Sequence, residues 1–186
     1  MKYFRTLLII ISFISASTVL AGEAPAGAKP CASCHGVNGV APSAEWPNLA
    51  GQNKAYLVEQ LRAFRSGQRE NPAMAPFVTG LSDDDIDMWA AYYSAQPAVV
   101  SGGGEETLVV AGENLAAYCK ACHGMNGRPA TEAWPLLNGQ HAQYLEAQML
   151  AFKSGMRVNG HMQAALSQLG PEQFKALAAF YSRQTP

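Results

Sequence analysis

Apolar positions recur along most of the chain with helical spacing. Tyr56, Leu57, Leu61 and Phe64 share one face of a helix, and Gly67 is placed to end it. Tyr144, Leu145, Met149 and Phe152, followed by Gly155, repeat the arrangement. Ile86, Trp89, Ala90 and Tyr93 fall at i, i+3, i+4 and i+7, with a capping box of Ser82 and Asp85 ahead of them. Phe174, Leu177, Ala178 and Tyr181 form the matching stripe behind Gly170-Pro171, with proline at the first helical position. The stripes are expected to face a core. No alternating run is long enough for a strand, so the pattern predicts an all-α protein.

The second set of stripes is a copy of the first. The two halves align without a gap at an offset of 88 residues. Cys31-Ala-Ser-Cys34-His35-Gly36 matches Cys119-Lys-Ala-Cys122-His123-Gly124, Trp46-Pro47 matches Trp134-Pro135, and Gly51-Gln52 matches Gly139-Gln140. Arg69, Met74 and Tyr93 match Arg157, Met162 and Tyr181. Two copies of this length make a duplicated domain rather than a solenoid. Pro97–Gly104 carries no charge, is rich in small residues and reads as a flexible connection. The expected domains are 22–98 and 105–186, joined by a linker at 99–104. At roughly 80 residues each, an apolar core alone is marginal, and a bound or covalent group would help both to fold.

Met1 to Ala21 reads as a secretory signal, with Lys2 and Arg5, an apolar run from Leu7 to Ile14 broken by Ser12, and small Ala21 before a cut ahead of Gly22. The run is short for a membrane span; the alternative is an uncleaved N-terminal anchor. No later segment approaches that hydrophobic length, so the mature protein is expected to be soluble. The 186 residues carry 13 basic and 14 acidic side chains, and losing Lys2 and Arg5 moves the net charge from −1 to −3. Without a basic surplus, nucleic acid is excluded as a partner. Charged residues at 15% argue against disorder. Export would also make two disulfides the default for four cysteines.

The spacing of the cysteines opposes that default. Cys-x-x-Cys-His suits covalent haem c attachment: two thiols three positions apart bond the vinyl groups of one porphyrin, and the adjacent imidazole reaches the iron. A zinc site would pair its two hooks about 15–20 residues apart, a thioredoxin-like pair would need a strand, and disulfides do not predict a histidine after each pair. Cys31, Cys34, Cys119 and Cys122 are therefore assigned to two haem c groups, with His35 and His123 as axial ligands. Electron-transfer haems take Met or His as second axial ligand. Met74 and Met162 lie at equivalent places in an irregular stretch before each last helix; the alternative is gap-filling in the core. His161 is a rival in the second copy, and His141, without a histidine counterpart, reads as a surface residue. Arg69 and Arg157 either pair with haem carboxylates or are solvated loop residues. Trp46 and Trp134 either offer their ring N–H to those carboxylates or cover the haem edge.

Pro47-Asn-Leu49 and Pro135-Leu-Leu137 resemble the segment with which class I cytochromes c offer a proline carbonyl to the proximal histidine; the alternative is that these prolines only shape a loop. Nearly the whole mature chain resembles the dihaem cytochrome c4 family. The likeness rests on the paired CxxCHG motifs, two W-P-x-L-x-G-Q segments followed by Y-L-x-x-Q, two F-x-S-G-x-R segments and a methionine before each last helix. It implies two tandem class I cytochrome c domains about a pseudo-twofold axis. It also implies a periplasmic, monomeric electron carrier, often associated with the inner membrane, taking electrons from a donor such as a quinol-oxidising complex and passing them toward a terminal oxidase. Two departures stand out: the loops from Gly67 to Met74 and from Gly155 to Met162 are short for the family, and only nine mature residues precede Cys31, leaving little for a first helix.

Filled His/Met coordination in both domains predicts one-electron transfer without catalysis. Two alternatives stay open: the cytochrome subunit of a dehydrogenase such as a flavoprotein sulfide dehydrogenase, and a small dihaem enzyme with a displaceable ligand. The first domain holds 5 basic against 8 acidic residues and the second 6 of each. Asp83, Asp84, Asp85 and Asp87 cluster at one helix start, where they favour the helix dipole or steer a basic partner.

Overall fold

Helix ends fall where the chain supplies caps. In the computed structural model, which describes residues 24, 25 and 27–186, Ser82 Oγ accepts the Asp85 N–H (3.1 Å) and Asp85 Oδ2 accepts the Ser82 N–H (3.0 Å). At the other end of the preceding long helix, Gly67 (φ 77°) and its counterpart Gly155 (φ 82°) adopt the left-handed conformation that closes the last turn. The signal-like segment Met1–Ala21 lies outside the described residues.

The described residues form nine α-helices and one 3₁₀ turn. The first domain contains α1 (Lys29–His35), α2 (Lys54–Ser66), α3 (Ala75–Val78) and α4 (Asp83–Ser94). The second contains a 3₁₀ turn (Glu106–Leu108), then α5 (Val109–Leu115), α6 (Lys120–His123), α7 (Ala142–Ser154), α8 (Gly160–Leu166) and α9 (Pro171–Ser182). The ends of α7 and α9 are displaced from those of α2 and α4 by the same 88 residues that relate the sequences. The copies differ before the cysteines. Helix α5 packs along α9, where a Cβ on Gly112 would come 2.0 Å from Ala176 O; the corresponding positions of the first domain fall largely outside the described residues.

In each domain the two long helices pack against one another, α2 on α4 and α7 on α9. The buried cluster of the first domain is small: Leu57, Ala90 and Tyr93, with Cys31 and Leu49 packed on it. The second has a larger cluster around Leu145, Leu177, Phe180 and Tyr181, and another of Phe152, Leu166 and Phe174. The acidic start of α4 is largely compensated. Asp83 lies 2.7 Å from Arg65 Nη2 and 3.5 Å from Arg62 Nε, Asp87 lies 2.9 Å from Lys54 Nζ, and Asp85 is occupied by its cap. These contacts hold the Asp83 and Asp85 carboxyls below their usual range.

The segment between the domains is not the flexible connection its composition suggests. Ser101 N–H donates to Gly139 O (2.9 Å), Gly102 N–H to Ser182 O (3.1 Å), and Asn48 Nδ2 to Ser101 Oγ (2.6 Å), while Arg183 Nη1 donates to Gly103 O. The segment runs close against the second domain: a Cβ on Gly104 would lie 2.9 Å from Ala179 Cβ, and one on Gly139 would lie 2.4 Å from Val99 O. The domains also clasp each other directly. Gln52 Nε2 donates to Leu136 O (3.0 Å) and its Oε1 accepts the Leu136 N–H (2.8 Å). Gln140, its copy, bonds the Asn48 carbonyl (2.9 Å) and N–H (2.8 Å) in the same way. Between the two clasps, Arg69 and Arg157 face each other in an isolated antiparallel bridge, which marks a pseudo-twofold axis. No helix among the described residues is long and apolar enough to cross a membrane.

Candidate haem sites

A short helix delivers each cysteine pair. Helix α1 carries Cys31, Cys34 and His35; in the second copy Cys119 caps α6, which carries Cys122 and His123. The glycine after each histidine turns the chain sharply. Gly36 has φ 75° and Gly124 φ 76°, and an added Cβ would lie 2.1 Å from Val40 O or 1.9 Å from Arg128 O. The motif glycine is thus a steric requirement of the turn leading to Trp46-Pro47 and Trp134-Pro135.

Both histidines are buried, at 6% and 9% exposure. His35 Nδ1 lies 2.9 Å from Pro47 O, and His123 Nδ1 lies 3.4 Å from Pro135 O. A carbonyl only accepts, so Nδ1 carries the proton and Nε2 keeps its lone pair for a metal. Burial pulls both imidazole pKa values down, partly offset by the carbonyl bond, which favours the neutral ring that ligation requires. Burial likewise pushes the Cys31 and Cys119 thiols up.

These groups open into one cavity of about 1,220 Å³ lined from both domains. That is larger than the roughly 300–1,000 Å³ of ordinary small-molecule pockets. All four cysteines, both histidines, Met74 and Met162, Trp46 and Trp134, Pro47 and Pro135, and Arg69 and Arg157 border it. The helical stripes read as core border it too: Leu57, Leu61, Phe64, Ala90 and Tyr93 face space as well as one another. The methionines are less alike than the repeat implies. Met74 precedes α3, but Met162 sits inside α8 rather than in an irregular stretch, because Asn159 caps a helix two residues earlier. His161, in the same first turn, also borders the cavity.

Arg69 and Arg157 are half-buried at the domain interface and are not solvated loop residues. Arg69 donates to Gln60 of its own domain (2.7 Å) and to Gln148 (2.8 Å) and Tyr144 (3.2 Å) of the other. Arg157 mirrors it with Gln148, Gln60 and Tyr56, each at 2.8 Å. Each guanidinium also stacks 4.4 Å from a phenylalanine ring, Phe64 or Phe152. All those partners are neutral, and among the described residues neither arginine belongs to an ion pair. Two uncompensated cations bordering one apolar cavity call for an anionic occupant. A haem c in each domain would supply carboxylates for them, and the thiols, neutral imidazoles and thioethers are a donor set that would suit its attachment and its iron.

Tyr56 and Tyr144, expected to face a core, are interface residues, and so are Gln60 and Gln148, to which the helical period gives no role. Their recurrence at the 88-residue offset was the available signal; that the two copies meet was not. His141, read as a surface residue, caps α7 at the interface with its Nε2 buried and unpartnered.

The family model described as cytochrome C oxidase, cbb3-type, subunit III matches residues 21–92, and that described as cytochrome c matches residues 109–182. The chain is 34% identical over 177 residues to the cytochrome c4 of Pseudomonas aeruginosa, covering 86% of this chain and 88% of that one. It is 36% identical over 179 residues to the thiosulfate dehydrogenase electron acceptor of Stutzerimonas stutzeri, covering 87% and 82%. The crystal structure of reduced recombinant cytochrome c4 from Pseudomonas stutzeri superposes with a TM-score of 0.81 at 31% identity, over 89% of this chain and all of that one.

Proposed function

Because this chain belongs to the cytochrome c4 family of electron-transfer proteins, we propose that it carries single electrons in the periplasm on two covalent haem c groups, one per domain. Cys31 and Cys34 hold the first and Cys119 and Cys122 the second, with His35 and Met74, and His123 and Met162, as axial ligands. When bound, the haem iron supplies the one-electron chemistry. The protein's own part is to keep both imidazoles neutral and aimed through the Pro47 and Pro135 carbonyls, and to exclude water from the cavity. Arg69 and Arg157 hold the haem carboxylates and lend positive charge to the space between the domains. The observation that carries this reading is the pair of uncompensated guanidiniums bordering one cavity with two buried, carbonyl-anchored histidines.

The donor in this reading is a quinol-oxidising complex and the acceptor a terminal oxidase. A second reading is favoured by the similarity to a thiosulfate dehydrogenase electron acceptor. Here the donor is a periplasmic dehydrogenase, and the protein is its soluble acceptor. Stopped-flow reduction by purified donors of each class separates the two. The ligation is tested by exposing the reduced, exported protein to carbon monoxide at neutral pH. Slow or absent binding, with two one-electron waves in a redox titration, is expected; rapid binding refutes six-coordinate electron transfer.

A further inference from the structure

Between the bridging arginines and the last long helix, the two copies have little in common. Pro72-Ala73 stands against Gly160-His161, and a four-residue α3 that begins after Met74 stands against a seven-residue α8 that contains Met162. From position 70 to 80 the residues identical at the 88-residue offset are Asn71 with Asn159, and Met74 with Met162. The contact they make is shared as well. Asn71 Oδ1 accepts the Ala73 N–H (2.9 Å) and the Met74 N–H (3.3 Å), and Asn159 Oδ1 accepts the Met162 N–H (3.1 Å).

An asparagine oxygen accepting a backbone N–H two or three residues on closes the turn that follows: at Asn159 it is the N-cap of α8, and at Asn71 it closes the turn that leads through Met74 into α3. In both copies that turn carries the methionine. Its thioether lies several bonds from the backbone, on a segment exposed on one side and joined to the core chiefly through Val78 or Leu166. The same asparagines close the turn through their backbone: Asn71 O accepts the Met74 and Ala75 N–H (3.0 Å each) and Asn159 O the Gln163 N–H (2.9 Å), while Met162 also packs on the Leu166 and Phe174 cluster.

Resting on the His/Met reading above, we propose that Asn71 and Asn159 are positioning residues for the axial thioethers. Each pins the peptide of its methionine so that the sulfur is presented to its own domain's iron rather than lost to a competing ligand. The carboxamide acts only as an acceptor, so Ser or Asp at the same position does the same work.

The test uses the fully loaded ferric protein titrated with imidazole, reading the weak thioether-to-iron absorption band. Loss of a cap shifts such an equilibrium about fivefold. Asn71→Ala and Asn159→Ala are each expected to make about half of the band yield to imidazole at about fivefold lower concentration, leaving the other half unchanged. Asn71→Ser and Asn159→Asp are expected to titrate as the parent protein does. Parent-like titration of both alanine variants overturns the proposal, as does an Asp or Ser variant no better than Ala. If an alanine variant loads no haem in the affected domain, normal loading and a normal band in its serine or aspartate counterpart support the proposal, and their loss overturns it. A parent protein without the band refutes methionine ligation itself and takes the proposal with it, an outcome distinct from a normal parent band that the variants leave unmoved.

Discussion

Replacing Gln140 by alanine removes one arm of the clasp between the domains. The side chain is buried and bonds three backbone groups: the Asn48 N–H (2.8 Å), the Asn48 carbonyl (2.9 Å) and the His141 N–H (3.0 Å). Asn48 is itself buried, at 6% exposure, so its N–H and carbonyl would lose their partner without gaining water. Each orphaned buried group costs roughly 1–3 kcal/mol, and local relaxation recovers part, so a destabilisation of about 3 kcal/mol is expected. Gln52→Ala breaks the matching bonds to Leu136, which is only half-buried, and is expected to cost about half as much. Urea unfolding followed by far-UV circular dichroism reads the difference as a lower midpoint at unchanged slope. In a thermal scan, 3 kcal/mol corresponds to a fall of about 6–12 °C for a chain of this size. Gln140→Met, which keeps the volume but not the amide, is expected to cost as much as alanine. A Gln140→Ala protein within about 0.5 kcal/mol of the parent would refute the reasoning, since the clasp would then carry no weight.

Two other outcomes are expected. Because each guanidinium bonds residues of both domains, Arg69→Leu or Arg157→Leu removes positive charge from both sites, and both waves of a redox titration move to lower potential. A shift of about 40 mV, the one-electron equivalent of roughly 1 kcal/mol, is expected, and a shift confined to one wave contradicts the shared arrangement. With iron removed and the porphyrin kept, the buried histidines set the pH response. Their folded pKa values then lie below the unfolded value near 6.5, so the stability they contribute is present above that pH and is lost as pH falls toward the folded pKa. Unfolding midpoints of this iron-free form, measured from pH 7 down to 4, are expected to decline, and a flat profile would count against burial of neutral imidazole.

Much of each domain is local and therefore legible. The stripes at Tyr56–Phe64 and Ile86–Tyr93, the Ser82–Asp85 cap and the glycine ends at Gly67 and Gly155 are all set within a few residues, and so is Cys-x-x-Cys-His. What was misread depends on the other copy or on what fills the cavity. Tyr56 looks like a core residue because its ring follows the apolar period, yet its hydroxyl reaches Arg157, 101 positions away. Periodicity separates an inner from an outer face, but it does not say whether the inner face meets side chains or a prosthetic group. The stretch Pro97–Gly104 looks loose because it is glycine-rich, when Gly102, Gly103 and Gly104 all take positive φ in a backbone hydrogen-bonded to Gly139 and Ser182. Met162 looks like a loop residue because a lone Asn-Gly gives little sign of a helix start.

The bridge between Arg69 and Arg157 has the logic of a homodimer contact, in which one patch meets its own copy. Here both copies belong to one chain, so meeting is an intramolecular event with an effective concentration on the order of millimolar. Contacts too weak to hold two free molecules together suffice. Tethering also releases the interface from symmetry: in a true dimer any substitution is made twice, whereas here it is made once. The chain uses that freedom. Asn53 Nδ2 donates to Trp134 O (2.7 Å) on one side of the axis, while His141 at the equivalent place leaves its Nε2 unpartnered. Glu70 in one copy is replaced by Val158 at the matching position of the other. Two sites built from one plan can thus be tuned apart, a precondition for giving two identical cofactors different potentials and different partners.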